Sequence, residues 1–185
     1  YEELSRYTLF DSQEHIPAFA DVLQAVNGRA PLIIEYKLDG LNHRLCEAAA
    51  PLLRAYQGLY CIESFHPLPL LWYKKHRPDI VRGFLSTSFE RKTFWKNPPL
   101  YGAMTAMLTN FLTKPDFIAY NHLHKNNLSR RLCRDLYHAL SVAWTIKSET
   151  QLAQNQADYD LFIFDSFIPA HPPAGKAAAP DVMKA

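Results

Sequence analysis

Glu35 and Lys37 stand two residues apart at the carboxyl end of the apolar run Leu32-Ile33-Ile34-Glu35-Tyr36-Lys37. Strand side chains alternate between faces, so both leave the same side of a sheet, together with Ile33. A carboxylate there offers an oxygen ligand to a hard cation such as Mg²⁺ or Ca²⁺. An ammonium beside it offers a compact positive charge to a phosphate or to negative charge developing in a reaction. The alternative is a structural ion pair, Glu35 with Lys37 or Lys37 with Glu63. A second run, Tyr60-Cys61-Ile62-Glu63-Ser64-Phe65, puts Glu63 and Phe65 on one face. Glu63 at that strand end can reach the outer shell of a metal or a substrate hydroxyl. Phe65 packs against a substrate if it points inward and is ordinary core if it points outward.

The histidines carry less. His15 precedes a helix start and is expected to cap or pack. His66 follows Phe65 closely enough to approach a pocket. His122 and His124 share a face if a strand runs through them, but no third ligand type stands nearby, and a structural loop role is the better reading. Cys46, Cys61 and Cys133 are an odd, widely spaced set, which argues against a disulfide framework and a CxxC zinc site and for buried thiols.

These residues need elements to hold them. Phe19, Val22, Leu23 and Val26 form a helical stripe closed by Asn27-Gly28. Strand-like runs are expected at Leu32–Tyr36, Tyr60–Phe65, Val81–Ser86, Asp116–Tyr120, Ser141–Ile146 and Leu161–Phe164. Helices are expected between them. One covers about His43–Tyr56, kinked or cut short by Pro51. Another starts at Pro67. A third covers Leu100–Leu112, and a fourth Leu128–Leu140 carries Arg130, Arg131 and Arg134 outward. A last one starts from the capping pair Ser148 and Gln151. Thr87–Pro99 is irregular, basic and aromatic, either a cover for a pocket mouth or a solvated loop. The segment after Ala170 is rich in Pro and Ala and is expected to be a flexible tail (170–185) on a single domain (1–169).

Apolar strands alternating with amphipathic helices mean an α/β chain with a parallel sheet covered by helices. An open doubly wound sheet is one solution. A (β/α)8 TIM barrel, usually about 250 residues, is the other. With 185 residues and six βα units, this chain looks like such a barrel short of two units.

Composition narrows function. A net charge of +2 is too small to predict a nucleic-acid partner. No apolar stretch reaches bilayer length, so no integral membrane segment is expected. The free cysteines and the lack of a visible signal peptide suggest a cytoplasmic protein. The chain starts at Tyr1 and not at Met, which leaves the natural N-terminus open.

Several segments then fall in one order along nearly the whole chain up to Pro169. They are His15-Ile16-Pro17 leading into Phe19 to Leu23, Ile34-Glu35-Tyr36-Lys37, Ile62-Glu63-Ser64-Phe65-His66-Pro67, Arg77-Pro78-Asp79-Ile80 with Arg82-Gly83, Asp116-Phe117-Ile118-Ala119-Tyr120, Ala143-Trp144-Thr145-Ile146, and Ile163-Phe164-Asp165-Ser166-Phe167. No single one is highly specific. As an ordered set they resemble the glycerophosphodiester phosphodiesterases, metal-dependent TIM-barrel enzymes. Members of that family open with a strand carrying His-Arg-Gly, a second strand carrying a Glu-x-Asp metal pair, and a further His before an Asp. None of these is found here, and what remains corresponds to strands three through eight.

The resemblance implies hydrolysis of a small-molecule glycerophosphodiester to glycerol 3-phosphate and an alcohol, with a divalent metal, Mg or Ca. Glu35 matches a carboxylate ligand and Lys37 the lysine beside the metal, an electrostatic stabiliser. Glu63, Phe65 and Trp144 are expected to line the substrate pocket, Trp144 with apolar area and one N–H donor. The matching histidines are absent, so the 185-residue piece is expected to be inactive by itself. A different class remains open: a non-catalytic truncated barrel that binds a partner or forms a homo-oligomer through the unpaired edges of the Leu32 and Leu161 strands. Another phosphoester-cleaving barrel is a third possibility.

Overall fold

The apolar runs form six strands in a computed structural model that describes residues 1–38, 40–87, 110–135 and 138–170. They are β1 (Leu32–Glu35), β2 (Tyr60–Ser64), β3 (Arg82–Ser86), β4 (Phe117–Asn121), β5 (Leu140–Ile146) and β6 (Leu161–Phe164). The intervening helices are α1 (Phe19–Val26), α2 (Arg44–Ala55), α3 (Pro67–His76), α4 (Asn110–Thr113), α5 (Leu128–Asp135) and α6 (Glu149–Asn155). Local sequence signals explain their ends. Asn27 takes a left-handed conformation at the C-terminus of α1, and its N–H donates to the Leu23 carbonyl at 2.9 Å. Pro67 occupies the first turn of α3, where its missing N–H costs nothing. Ser148 accepts from the Gln151 N–H at 3.2 Å at the start of α6, while the Gln151 side chain accepts from the Lys147 N–H.

All five strand pairings are parallel, and the order in the sheet is the order in the chain, β1 to β6. Right-handed crossovers between strands laid down in one direction put every helix on the same face. A doubly wound sheet would need a reversal of strand order, so that alternative is eliminated. The two faces carry different cores. Ile62, Phe84, Ile118, Tyr120 and Ala143 pack with helix residues Cys46, Leu53, Leu70 and Tyr73. Leu85, Phe117, Ala119 and Val142 form a separate core on the helix-free face, joined there by Cys61, Phe65, Val81, Leu140, Trp144 and Ile163. The sheet is a curled half-barrel, an incomplete TIM barrel.

Its curvature shows in one contact. Phe65 follows β2 and Trp144 lies in β5, with β3 and β4 between them. Three strand spacings in a flat sheet amount to about 14 Å. The two rings nonetheless meet edge to face with centroids 5.5 Å apart, so the wall curls and both rings lean inward.

Two expectations are changed by the structure. Pro51 does not cut α2 short: it lies within the helix, which runs on to Ala55. Arg130 does not face outward: it is the largest fully buried side chain among the described residues. Its guanidinium donates to the Lys125 and Asp158 carbonyls at 2.7 and 3.1 Å, pairs with the Asp158 carboxylate at 3.9 Å and covers the Tyr159 ring at 4.5 Å. His122 and His124 belong to a 3₁₀ turn, in keeping with the loop role read for them from the sequence. The loop expected over Thr87–Pro99 and the helix expected over Leu100–Leu112 lie almost wholly outside the described residues, as does the tail beyond Ala170.

Gly83 in β3 is required by packing. A Cβ there would sit 2.0 Å from the Phe117 ring, which fills the floor of the helix-free face. Gly83→Ala should lower stability by about 1–3 kcal/mol through overpacking, measured as the midpoint shift in urea unfolding.

Candidate active site

Glu35 ends β1 on the helix-free face: along β1, Leu32 and Ile34 are the more covered residues, while Ile33 and Glu35 are exposed. Parallel pairing sets Glu35 directly opposite Glu63 of β2, after the matching pairs Leu32–Tyr60, Ile33–Cys61 and Ile34–Ile62. Backbone hydrogen bonds lock this end of the sheet. The Tyr36 N–H donates to the Glu63 carbonyl at 2.8 Å. Ser64, fully buried, donates its hydroxyl to the Tyr36 carbonyl at 2.6 Å and accepts from the His66 N–H at 3.0 Å. His66 in turn accepts the Leu68 N–H with Nδ1 at 3.2 Å, so it caps α3. Below, the Tyr36 and Tyr73 hydroxyls are hydrogen-bonded at 2.7 Å and bury the root of the strand end against α3.

The sequence-predicted residues therefore group as follows. Lys37 Nζ lies 3.4 Å from a Glu35 carboxylate oxygen; the lysine side chain is largely exposed and the glutamate partly so. The ion pair foreseen as the alternative thus exists, and it also holds the ammonium beside the carboxylate where a phosphate could reach it. Phe65 points inward, with Trp144 against it. The β5–β6 register is irregular between Ala143 and Ile146, at the position of Trp144, a device that re-aims side chains at sheet ends. The indole Nε1 is buried without a hydrogen-bond partner among the described residues.

Glu63 is the least comfortable group. It is 6% exposed, and its Oε2 has no hydrogen-bond partner among the described residues. Burial, and secondarily the Glu35 charge beside it, pushes its carboxyl up from 4.5 to about 7. The pairing of the two glutamates escaped the residue-by-residue reading. The signal was present in the repeated Ile-Glu of Ile34-Glu35 and Ile62-Glu63, which becomes a carboxylate pair once the two strands are laid side by side in parallel.

This donor set suits a hard cation: two carboxylates at adjacent strand ends, one with an unsatisfied oxygen. Among the described residues no group of three or more His, Cys, Asp or Glu side chains converges, so these supply only part of a coordination shell. Beneath, a cavity of about 410 Å³ runs along the helix-free face, lined by Ile33, Cys61, Val81, Phe117, Val142 and Ile163 among others.

No protein-family model and no curated protein matches the sequence. Solved structures do match the fold. A glycerophosphodiester phosphodiesterase from Parabacteroides distasonis superposes with a TM-score of 0.67 at 15% identity, over 89% of this chain and 66% of that one. A structure from Galdieria sulphuraria gives a TM-score of 0.62 at 15% identity, over 88% of this chain and 65% of its own. An Oleispira antarctica phosphodiesterase, solved in complex with the product sn-glycerol-3-phosphate, gives 0.60 at 19% identity, over 82% and 58%. The chain spans between 58% and 66% of the length of these three. The likeness establishes a shared fold: a six-stranded section of a TIM barrel like that of these phosphodiesterases. Among the described residues no helix is long and apolar enough to cross a membrane.

The buried carboxyl of Glu63 has a thermodynamic consequence. Its folded-state pKa is raised, so the unfolded chain loses this proton near pH 4.5 while the folded chain keeps it to about pH 7. Stability attributable to Glu63 falls as pH rises through that window and is level above it. With chelator present, the stability advantage of Glu63→Gln over the parent should grow by on the order of 3 kcal/mol between pH 4.5 and about pH 8, read from urea unfolding at each pH.

Proposed function

We propose that this chain forms the phosphate- and alcohol-facing wall of a glycerophosphodiester phosphodiesterase, an enzyme that hydrolyses glycerophosphodiesters to glycerol 3-phosphate and an alcohol. The observation that carries the reading is Glu35 on the helix-free face at the carboxyl end of a barrel strand, with Lys37 3.4 Å from it. Catalytic groups of TIM barrels sit at this end of the strands. The fold shared with solved phosphodiesterases, one of them holding sn-glycerol-3-phosphate, supports the same substrate class.

Roles follow from chemistry. Glu35 would supply an oxygen to a divalent metal, Mg²⁺ or Ca²⁺, which would polarise phosphoryl oxygens and help activate the nucleophile. Lys37, exposed and mobile on its four-carbon stem, moves from Glu35 to a phosphate oxygen and offsets negative charge there. Phe65 and Trp144 give the alcohol or glycerol part an apolar wall, with the free indole N–H as one polar handle. Glu63 adds negative oxygens to the same floor. Proton transfer to the leaving alcohol needs an acid and a base that these residues do not include, and a further segment of polypeptide supplies them. The 185-residue chain alone therefore binds product and does not turn over a chromogenic phosphodiester.

Calorimetric titration tests this. With Mg²⁺ or Ca²⁺ present, the chain should bind sn-glycerol 3-phosphate, and Lys37→Ala should weaken binding about tenfold, the worth of one charge-assisted hydrogen bond. Absence of binding, or turnover of the phosphodiester by this chain alone, contradicts the assignment.

A second reading, a non-catalytic module that self-associates, draws on the edges of the wall. β1 and β6 are the terminal strands of the sheet, and Ile33 and Leu161 on them are 54% and 51% exposed. Open edges pair with other strands. Light scattering decides: a concentration-dependent dimer favours this reading, and a stable monomer counts against it.

A further inference from the structure

We propose that Glu63 is a direct ligand, together with Glu35, of a bound divalent cation, so that the carboxyl ends of β1 and β2 form a two-carboxylate clip. This inference rests on the reading of the strand ends as a metal site and deepens it, because Glu63 was expected only to line the substrate pocket or touch an outer shell.

Three observations converge on it. The first is placement: Glu35 and Glu63 are partners in the parallel ladder and share the helix-free face. Neighbouring strands lie about 4.8 Å apart. Oxygens held by one Ca²⁺ at about 2.3–2.6 Å each can stand up to about 5 Å from one another, so two adjacent strand ends can grip one ion without a change of backbone.

The second is the missing partner. The other buried charged residues among those described have an opposite charge beside them: Arg82 has Asp116 at 3.5 Å, although its Nε is also unpartnered, and Arg130 has Asp158 at 3.9 Å with carbonyl and hydroxyl acceptors around it. Glu63 is as buried as these, yet its Oε2 faces no donor among the described residues, and Lys37 engages Glu35 instead. A buried carboxylate left so is expensive. A substrate hydroxyl would satisfy one oxygen but would leave two like charges side by side. A divalent cation answers both carboxylates at once.

The third is rigidity. The Glu63 carbonyl is bonded to the Tyr36 N–H, and the Ser64 hydroxyl ties the next residue to the Tyr36 carbonyl. The backbones that carry the two glutamates are thereby held side by side, so a cation meets both side chains without a rearrangement of the strands.

Mn²⁺ titration of the full 185-residue chain, followed by the electron paramagnetic resonance of free ion, tests the clip in the parent, Glu63→Gln and Glu35→Gln, each checked for native circular dichroism. Glu63→Gln removes a buried charge at constant shape, so it is compatible with folding. The expected result is one site in the parent with its Kd raised tenfold or more in both variants. A Glu63→Gln Kd within twofold of the parent, with binding lost in Glu35→Gln, overturns the role of Glu63 and leaves the Glu35 reading standing. A parent that binds no Mn²⁺ overturns both.

Discussion

The parallel register between β1 and β2 is the constraint on which the strand-end chemistry depends. It sets Glu35 opposite Glu63, and a slip of β1 by one residue would turn Glu35 into the helical layer, bring Ile34 out and leave Glu63 without its partner. The register is held from both sides. Ile62, fully buried, commits one face of β2 to the helices. Ser64, reaching the Tyr36 carbonyl and the His66 N–H together, clamps the end of β1 to the start of α3. A serine at a fully buried position is explained by these two bonds, which satisfy backbone groups that would otherwise be stranded.

A second constraint is the floor. Gly83 leaves room for the Phe117 ring, and Phe117 with Leu85, Ala119 and Val142 fills the inside of the curl. This apolar layer separates the cavity at the amino ends of the strands from the polar residues at their carboxyl ends. Glu63, on the same face, is buried, and that burial, with the Glu35 charge as the second cause, pushes its carboxyl up.

How much of this was legible differs by residue. The strands were found within a residue or two at each end because each is an apolar run bounded by Pro, Gly or polar residues. That Glu35 shares a face with Ile33 followed from strand alternation alone; which face that is did not. Arg130 was misread because its helix looked amphipathic, and the groups that bury it, Ser141, Asp158 and Tyr159, come from elements well downstream. Periodicity reports which face is apolar. It does not report that a neighbouring strand and loop present carbonyls and a carboxylate to a guanidinium.

By itself the sequence determined an α/β chain with six βα units, the strand positions and which residues of one strand share a face, because these depend on local periodicity and on the chemistry of turns and caps. Only the tertiary structure decided that the sheet runs in chain order and curls, that Phe65 and Trp144 meet across two intervening strands, and that Glu35 and Glu63 form a pair. The reason is distance along the chain. Pairings between strands are selected by the packing of whole elements, and no short stretch of residues contains that information.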